Sequence, residues 1–154
     1  MVLTKKHQKE VLEKGFKKLM LKLKNVRLTA EMSLFKKLWN ERGEFTYEVR
    51  KQGIKELKNL KAIKKKLGNR SIFSVRMYLG SSEIKKLEGK YMRIKLPYSI
   101  KKYSKKMRVY AVDIKNKGRL IKAVYMKKEK AVAFKTKHTG TFGINIKKPV
   151  VKAK

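Results

Sequence analysis

The side chains able to move protons or hold metals are few: two histidines, one aspartate and a scatter of glutamates in a chain of 154 residues. His7 lies in the basic run Thr4-Lys5-Lys6-His7 and is expected to face solvent. His138 sits in the turn Lys137-His138-Thr139-Gly140, with no neighbouring aspartate or second histidine in the sequence to orient it. A general base needs such a partner, so a turn or interface histidine is the expectation. Asp113 is the only aspartate. The glutamates fall mostly on expected helices, where they can pair with lysine instead of converging on a pair of metal ions.

Cysteine is absent, which removes disulfides, a thiol nucleophile and cysteine metal sites. The nine glycines are too widely spaced for a phosphate-cradling loop. Gly140 and Gly143 read as backbone-permissive positions in a hairpin or bent strand. The expectation is a protein that is not an enzyme and carries no metal or cofactor.

The chemistry the chain has in excess is cationic. Lys and Arg number 45 against 11 acidic residues, a formal charge of +34, at which self-repulsion is costly unless anions screen it. Only eight of the 45 are arginine, the residue whose planar fork suits base reading. The lysine surplus fits diffuse contact with phosphate or with acidic protein surfaces, or a compositional bias without meaning for binding. Candidate contacts to nucleic acid or an acidic partner are Lys64, Lys65 and Lys66, then Lys101, Lys102, Lys105 and Lys106, then Lys127 and Lys128 with Lys130. Each cluster alone reads equally well as a solvated surface. Tyr98, Tyr103, Tyr110 and Tyr125 lie among them, where an aromatic in an alternating strand is more often core than a base-stacking platform.

The elements that must position these residues read as helices first and strands later. Val11, Leu12, Phe16, Leu19, Met20 and Leu23 recur at helical spacing, predicting an amphipathic helix from Lys5 to about Asn25 with Thr4 as N-cap. A second helix is expected from Thr29 to Arg42, stopped by Gly43. Between Glu44 and Leu67 the alternation of Phe45, Tyr47 and Val49 gives way to Ile54, Leu57, Leu60 and Ile63, read as a short extended lead-in and then a helix ended by Gly68. Strands follow at Ser71–Leu79 and Lys90–Leu96, with one turn of helix over Ser82–Leu87 between them and a break at Pro97. From Met107 to Ile146, turn-type breaks at 115–118, 127–130 and 138–140 predict an antiparallel meander. Val109, Ala111 and Asp113 should share one of its faces and Tyr110, Val112 and Ile114 the other.

The fold class implied is α+β, with N-terminal amphipathic helices packed on a C-terminal antiparallel sheet. One domain is expected over 1–154, mainly helical over 1–68, mainly strands and hairpins over 69–148, with a basic tail at 149–154. No apolar run approaches the roughly 18 residues a membrane span needs, and the N-terminus lacks the apolar core of a signal peptide, so no membrane contact and a cytoplasmic site of assembly are expected.

The lead-in Ile94-Lys95-Leu96-Pro97-Tyr98, the strand, turn and strand across Met107 to Met126, the strand Ala131-Val132-Ala133-Phe134 and the basic hairpin Lys135-Thr136-Lys137-His138-Thr139-Gly140-Thr141-Phe142-Gly143-Ile144 together resemble the minor tail protein Z family of tailed bacteriophages. The resemblance covers the last third of the chain and implies a structural virion protein that completes the tail at the head–tail junction. It implies long basic N-terminal helices and a homo-oligomeric ring between the tail terminator, tail tube and head connector, touching DNA non-specifically in its lumen. In that ring Phe134, Lys135, Lys137, His138, Gly140, Phe142 and Gly143 would form an interface hairpin. The charge alone suggests the alternative, a basic RNA- or DNA-binding protein of ribosomal type.

Overall fold

Alternating apolar residues, not helical stripes, organise this chain. The computed structural model describes residues 1–39, 43–53, 67, 72–87 and 90–147. Its elements are β1 (Val2–Leu3), α1 (Lys5–Glu13), β2 (Lys18–Leu23), β3 (Val26–Glu31), α2 (Met32–Trp39), β4 (Phe45–Gln52), β5 (Ile72–Leu79), β6 (Ser82–Ile84), β7 (Met92–Pro97), β8 (Arg108–Asp113), β9 (Arg119–Met126), β10 (Ala131–Thr136) and β11 (Gly140–Lys147). Ten strands pair in the order β1-β4-β5-β11-β8-β9-β10-β7-β3-β2, all antiparallel, and β6 pairs the far half of β5.

The sheet curls into a half-barrel. Its two ends are brought together by Tyr47 of β4, whose buried hydroxyl donates to the Val26 carbonyl of β3 at 3.2 Å. Burial pushes that phenol's pKa up from its ordinary value. The concave face holds the main core, including Leu28, Phe45, Tyr47, Ile94, Leu96, Val109, Ala111, Val132, Phe134, Phe142 and Ile144. Helix α2 closes the open side: Phe35 and Trp39 pack against each other and against Phe45 at centroid distances of 5.3 to 6.0 Å. On the opposite face Leu67, Ile72, Val112 and Ile114 form a smaller apolar cluster. The expected alternation along β8 is therefore present, with Val109 and Ala111 in one cluster and Val112 in the other.

The α+β expectation of helices packed on a sheet is overturned. The two described helices are only nine and eight residues long, and strands dominate the described part of 1–68 as they do the rest. The stripe expected to make one helix from Lys5 to Asn25 belongs to two elements. Thr4 does cap α1, accepting from the His7 amide at 3.3 Å, but Gly15 at φ +68° ends it. Leu19, Leu21 and Leu23 then alternate inward along β2, while Phe16 and Met20 are exposed. Lys24 and Asn25 both take positive φ, the two-residue turn that joins twisted antiparallel strands, so the chain doubles back into β3.

The second helix begins at Met32 because Thr29–Glu31 are the end of β3; residues 40–42 lie outside the described residues. The alternation Phe45, Tyr47, Val49 is a full strand, β4, and the expected helix after it lies almost wholly outside the described residues, with Lys64, Lys65 and Lys66. Ser82–Ile84 is strand β6, because the Gly80-Ser81 turn returns the chain along β5. The meander is also shorter than expected. β8, β9 and β10 follow it, but both edges of β10 are taken by β9 and β7, so β11 crosses over and pairs with β8 and β5.

No described helix is long and apolar enough to cross a membrane.

Candidate nucleic-acid interface

The pleat that buries one side of β3, β7 and β10 puts the intervening residues on the convex face. In β7, Met92, Ile94 and Leu96 point into the core, so Arg93 and Lys95 point out. In β3 the outward residues are Arg27, Thr29 and Glu31. Register aligns them: Arg27 is opposite Lys95, Thr29 opposite Arg93, and Lys135 of β10 opposite Arg93 on the other side. Lys22 of β2 completes a row with Arg27 and Lys95.

Like charges placed directly across a sheet repel. One acid relieves part of that repulsion. Glu129, in the turn between β9 and β10, accepts from Lys95 Nζ at 3.1 Å and lies 3.4 Å from Arg27 Nη1. The hydrogen bond from Lys95, aided by the charges of Lys95, Arg27 and Arg93, holds the Glu129 carboxyl below the ordinary carboxylate range against a smaller cost of desolvation. Such a group contributes stability above its ordinary pKa and loses it as pH falls through the lowered value. Arg93 and Lys135 have no such acid between them in the described contacts.

Beside this row a groove of about 680 Å³ runs over the end of the sheet, lined by Lys18, Lys90, Arg93, Lys95 and Lys135 and by Glu31, the register partner of Lys18. Tyr91, 57% exposed, forms part of the wall, and Lys137 Nζ lies 4.7 Å from its ring centroid. Successive outward residues of β7 are about 7 Å apart, a spacing on the scale of successive phosphates in an extended strand. The face can therefore offer point charges to a phosphate backbone and one aromatic surface to a base.

The chain matches no protein-family model, no curated protein and no solved structure.

The described lysines singled out from the sequence lie in loops outside this row. Lys101, Lys102, Lys105 and Lys106 are exposed in the loop after β7, and Lys127 and Lys128 in the β9–β10 turn. The two segments meet where the Tyr98 amide donates to the Lys130 carbonyl at 2.9 Å. Tyr125 is buried beneath this loop, its hydroxyl accepting from the Ile100 amide at 3.0 Å and its ring 4.8 Å from Tyr103, so these aromatics are packing groups.

The expected interface hairpin divides between the two faces. Phe134 and Phe142 are core residues with centroids 4.9 Å apart, while Lys135 and Lys137 are exposed. His138 does have an aspartate, contrary to the sequence reading: its Nε2 lies 3.1 Å from Asp113 Oδ2, and its ring stacks on Phe142. Twenty-four intervening residues hid this, because β11 returns to pair with β8, where Asp113 faces Phe142 in register. Neither Asp113 oxygen takes an aligned hydrogen bond. The other ring nitrogen, Nδ1, lies 3.0 Å from the Thr139 carbonyl.

The corner is stitched down further. Thr136 Oγ1 donates to the His138 carbonyl, Thr139 Oγ1 to the Ile84 carbonyl, and the backbone of 85–87 pairs with 137–139. Neither Gly140 nor Gly143 has positive φ, which corrects the reading of them as backbone-permissive. Gly143 is needed for space: a Cβ there would collide with Leu67 and come within 2.9 Å of Ile72 Cγ2, whereas at Gly140 it would meet only ordinary contacts from 3.6 Å.

Sequence reasoning missed Arg27, Tyr91, Arg93, Lys95 and Glu129. The signal was present in Tyr91-Met92-Arg93-Ile94-Lys95-Leu96, where every second residue is cationic or aromatic and the others are apolar. Among the described residues no cluster of three His, Asp or Glu could hold a metal.

Proposed function

We propose that this protein binds single-stranded nucleic acid through the convex face of β3, β7 and β10, by diffuse contact with phosphate. The observation that carries the reading is the row of outward cations, Arg27, Arg93, Lys95 and Lys135, beside a groove with an exposed tyrosine. Flexible lysines and an unspecific aromatic suit a strand held by its backbone and stacked without reading base edges. This was the alternative suggested by charge alone.

A second reading is the tail-neck component that the C-terminal resemblance implies, a ring contacting terminator, tube and connector. In its favour, β10 runs into a basic corner and then β11 over the residues that carry the likeness. Against it, the long basic N-terminal helices it calls for are replaced by a nine-residue helix and a hairpin.

The test is the salt dependence of affinity for a labelled oligothymidylate of about 20 nucleotides. Arg93→Ala with Lys135→Ala should lower the slope of log affinity against log salt by about 1.4, two single-strand phosphate contacts. Lys5→Ala with Lys9→Ala, removing the same charge from α1, should leave it nearly unchanged. Equal effects of the two pairs would defeat the reading. Light scattering on the same samples separates the second one: a discrete multimer that survives high salt without nucleic acid supports a neck ring, and a monomer supports the binding protein.

A further inference from the structure

At the groove Lys18 stands opposite Glu31 and Lys90 donates to Ser33 Oγ at 2.9 Å, while Arg27 and Lys95 hold an anion that the β9–β10 turn supplies. Arg27 and Lys95 are register partners on adjacent strands, and Arg93 follows one pleat along β7. Into this triangle the β9–β10 turn delivers one carboxylate, with Oε2 3.1 Å and Oε1 3.3 Å from Lys95 Nζ and Oε1 3.4 Å from Arg27 Nη1. Its sequence neighbours, Lys127, Lys128 and Lys130, are all cations, so in a chain with 45 basic and 11 acidic residues the single acid of this turn lies over the cation cluster. The turn is anchored at its base, since the Lys130 carbonyl accepts from the Tyr98 amide and Lys130 itself adopts φ +49°.

A carboxylate bridging an arginine and a lysine through two oxygens has the charge and acceptor oxygens of a bound phosphodiester. The geometry points to Arg27 and Lys95 as the seat of one phosphate of a nucleic-acid strand, occupied in the free protein by Glu129, which the phosphate displaces. This deepens the binding role proposed above and rests on it. The pair is exposed to water, where ion pairs are weak enough to exchange, and a polyanion carrying many charges at once has the advantage over a single carboxylate. Glu129 thereby sets a threshold: isolated anions compete poorly for the seat, while a strand already held along the groove reaches it with a high local concentration.

Glu129→Gln empties the seat with little change of shape. The comparison variant is Glu10→Gln, which removes the same charge from the exposed side of α1. Affinity of the full chain for the labelled oligothymidylate is measured from roughly 50 to 200 mM salt, with the emission of Trp39, the only tryptophan, reporting that each variant is folded. Glu129→Gln is expected to bind at least about threefold more tightly than Glu10→Gln at the low end and to steepen the salt slope by about 0.7, one added phosphate contact. Equal affinity and slope in the two variants would overturn the inference. If Arg93→Ala with Lys135→Ala still weakens binding in that event, only the Glu129 seat fails; if that pair also behaves as the α1 pair does, the binding face itself is wrong.

Discussion

The two turns that flank β10 both carry lysine and an acid contact, and they do opposite things. At one, Lys137-His138-Thr139, the acid that meets the turn is Asp113, 1% exposed and reached from another strand. At the other, Lys127 to Lys130, the acid is Glu129, carried by the turn itself and open to water across Arg27 and Lys95. The first pair is removed from solvent on one side and locked by two threonine hydroxyl and two backbone hydrogen bonds, so breaking it leaves a buried carboxyl without its partner. The second costs little to break, which is what an exchangeable anion site requires. Concave burial makes an ion pair structural, and convex exposure makes one available.

Removing the histidine should give the largest effect. His138→Ala leaves the buried Asp113 carboxyl without its partner and is expected to destabilise the fold by about 3 kcal/mol in urea melts followed by Trp39 emission. Adding Asp113→Asn should recover part of that loss, since the unpartnered carboxyl goes with it. Glu129→Gln, in the same melts, should shift the midpoint hardly at all. An equal loss at both turns would erase the distinction between them.

A smaller effect sharpens the account of the same corner. Gly143→Ala must displace Leu67 or Ile72 and should cost about 2 kcal/mol, in the range of overpacked cores. Gly140→Ala, three residues nearer the corner, meets ordinary contacts and should change stability by less than about 0.5 kcal/mol. Matching losses at the two glycines would mean that strand conformation, not space for Leu67, selects glycine at 143.

Apart from β6, which was expected as a turn of helix, the strands from Ile72 onward were legible because each is an apolar-rich run bounded by turn residues, and the observed limits of β5, β7, β8, β9, β10 and β11 fall within a few residues of the expected ones. The N-terminal third was not, because Val11, Leu12, Leu19 and Leu23 satisfy a helical period by accident of two elements joined at Gly15. Lys24-Asn25 carried the correct signal, a two-residue turn in left-handed conformation, without a glycine to announce it. The binding face was half legible. Lysine runs drew attention to loops, whereas the cations that share a surface are spread singly over β3, β7 and β10 and meet only through register. Long-range pairing also hid the partner of His138, since nothing local to Lys137-His138-Thr139 reveals that β8 ends beneath it.

The central claim is that nucleic acid lies on the convex face, and amide chemical-shift mapping of the full chain with the oligothymidylate tests it most directly. The expected footprint covers residues 27–29, 91–95, 129 and 133–137 and spares α1. Perturbations spread evenly over all lysine-bearing segments, or confined to 101–106, would contradict it.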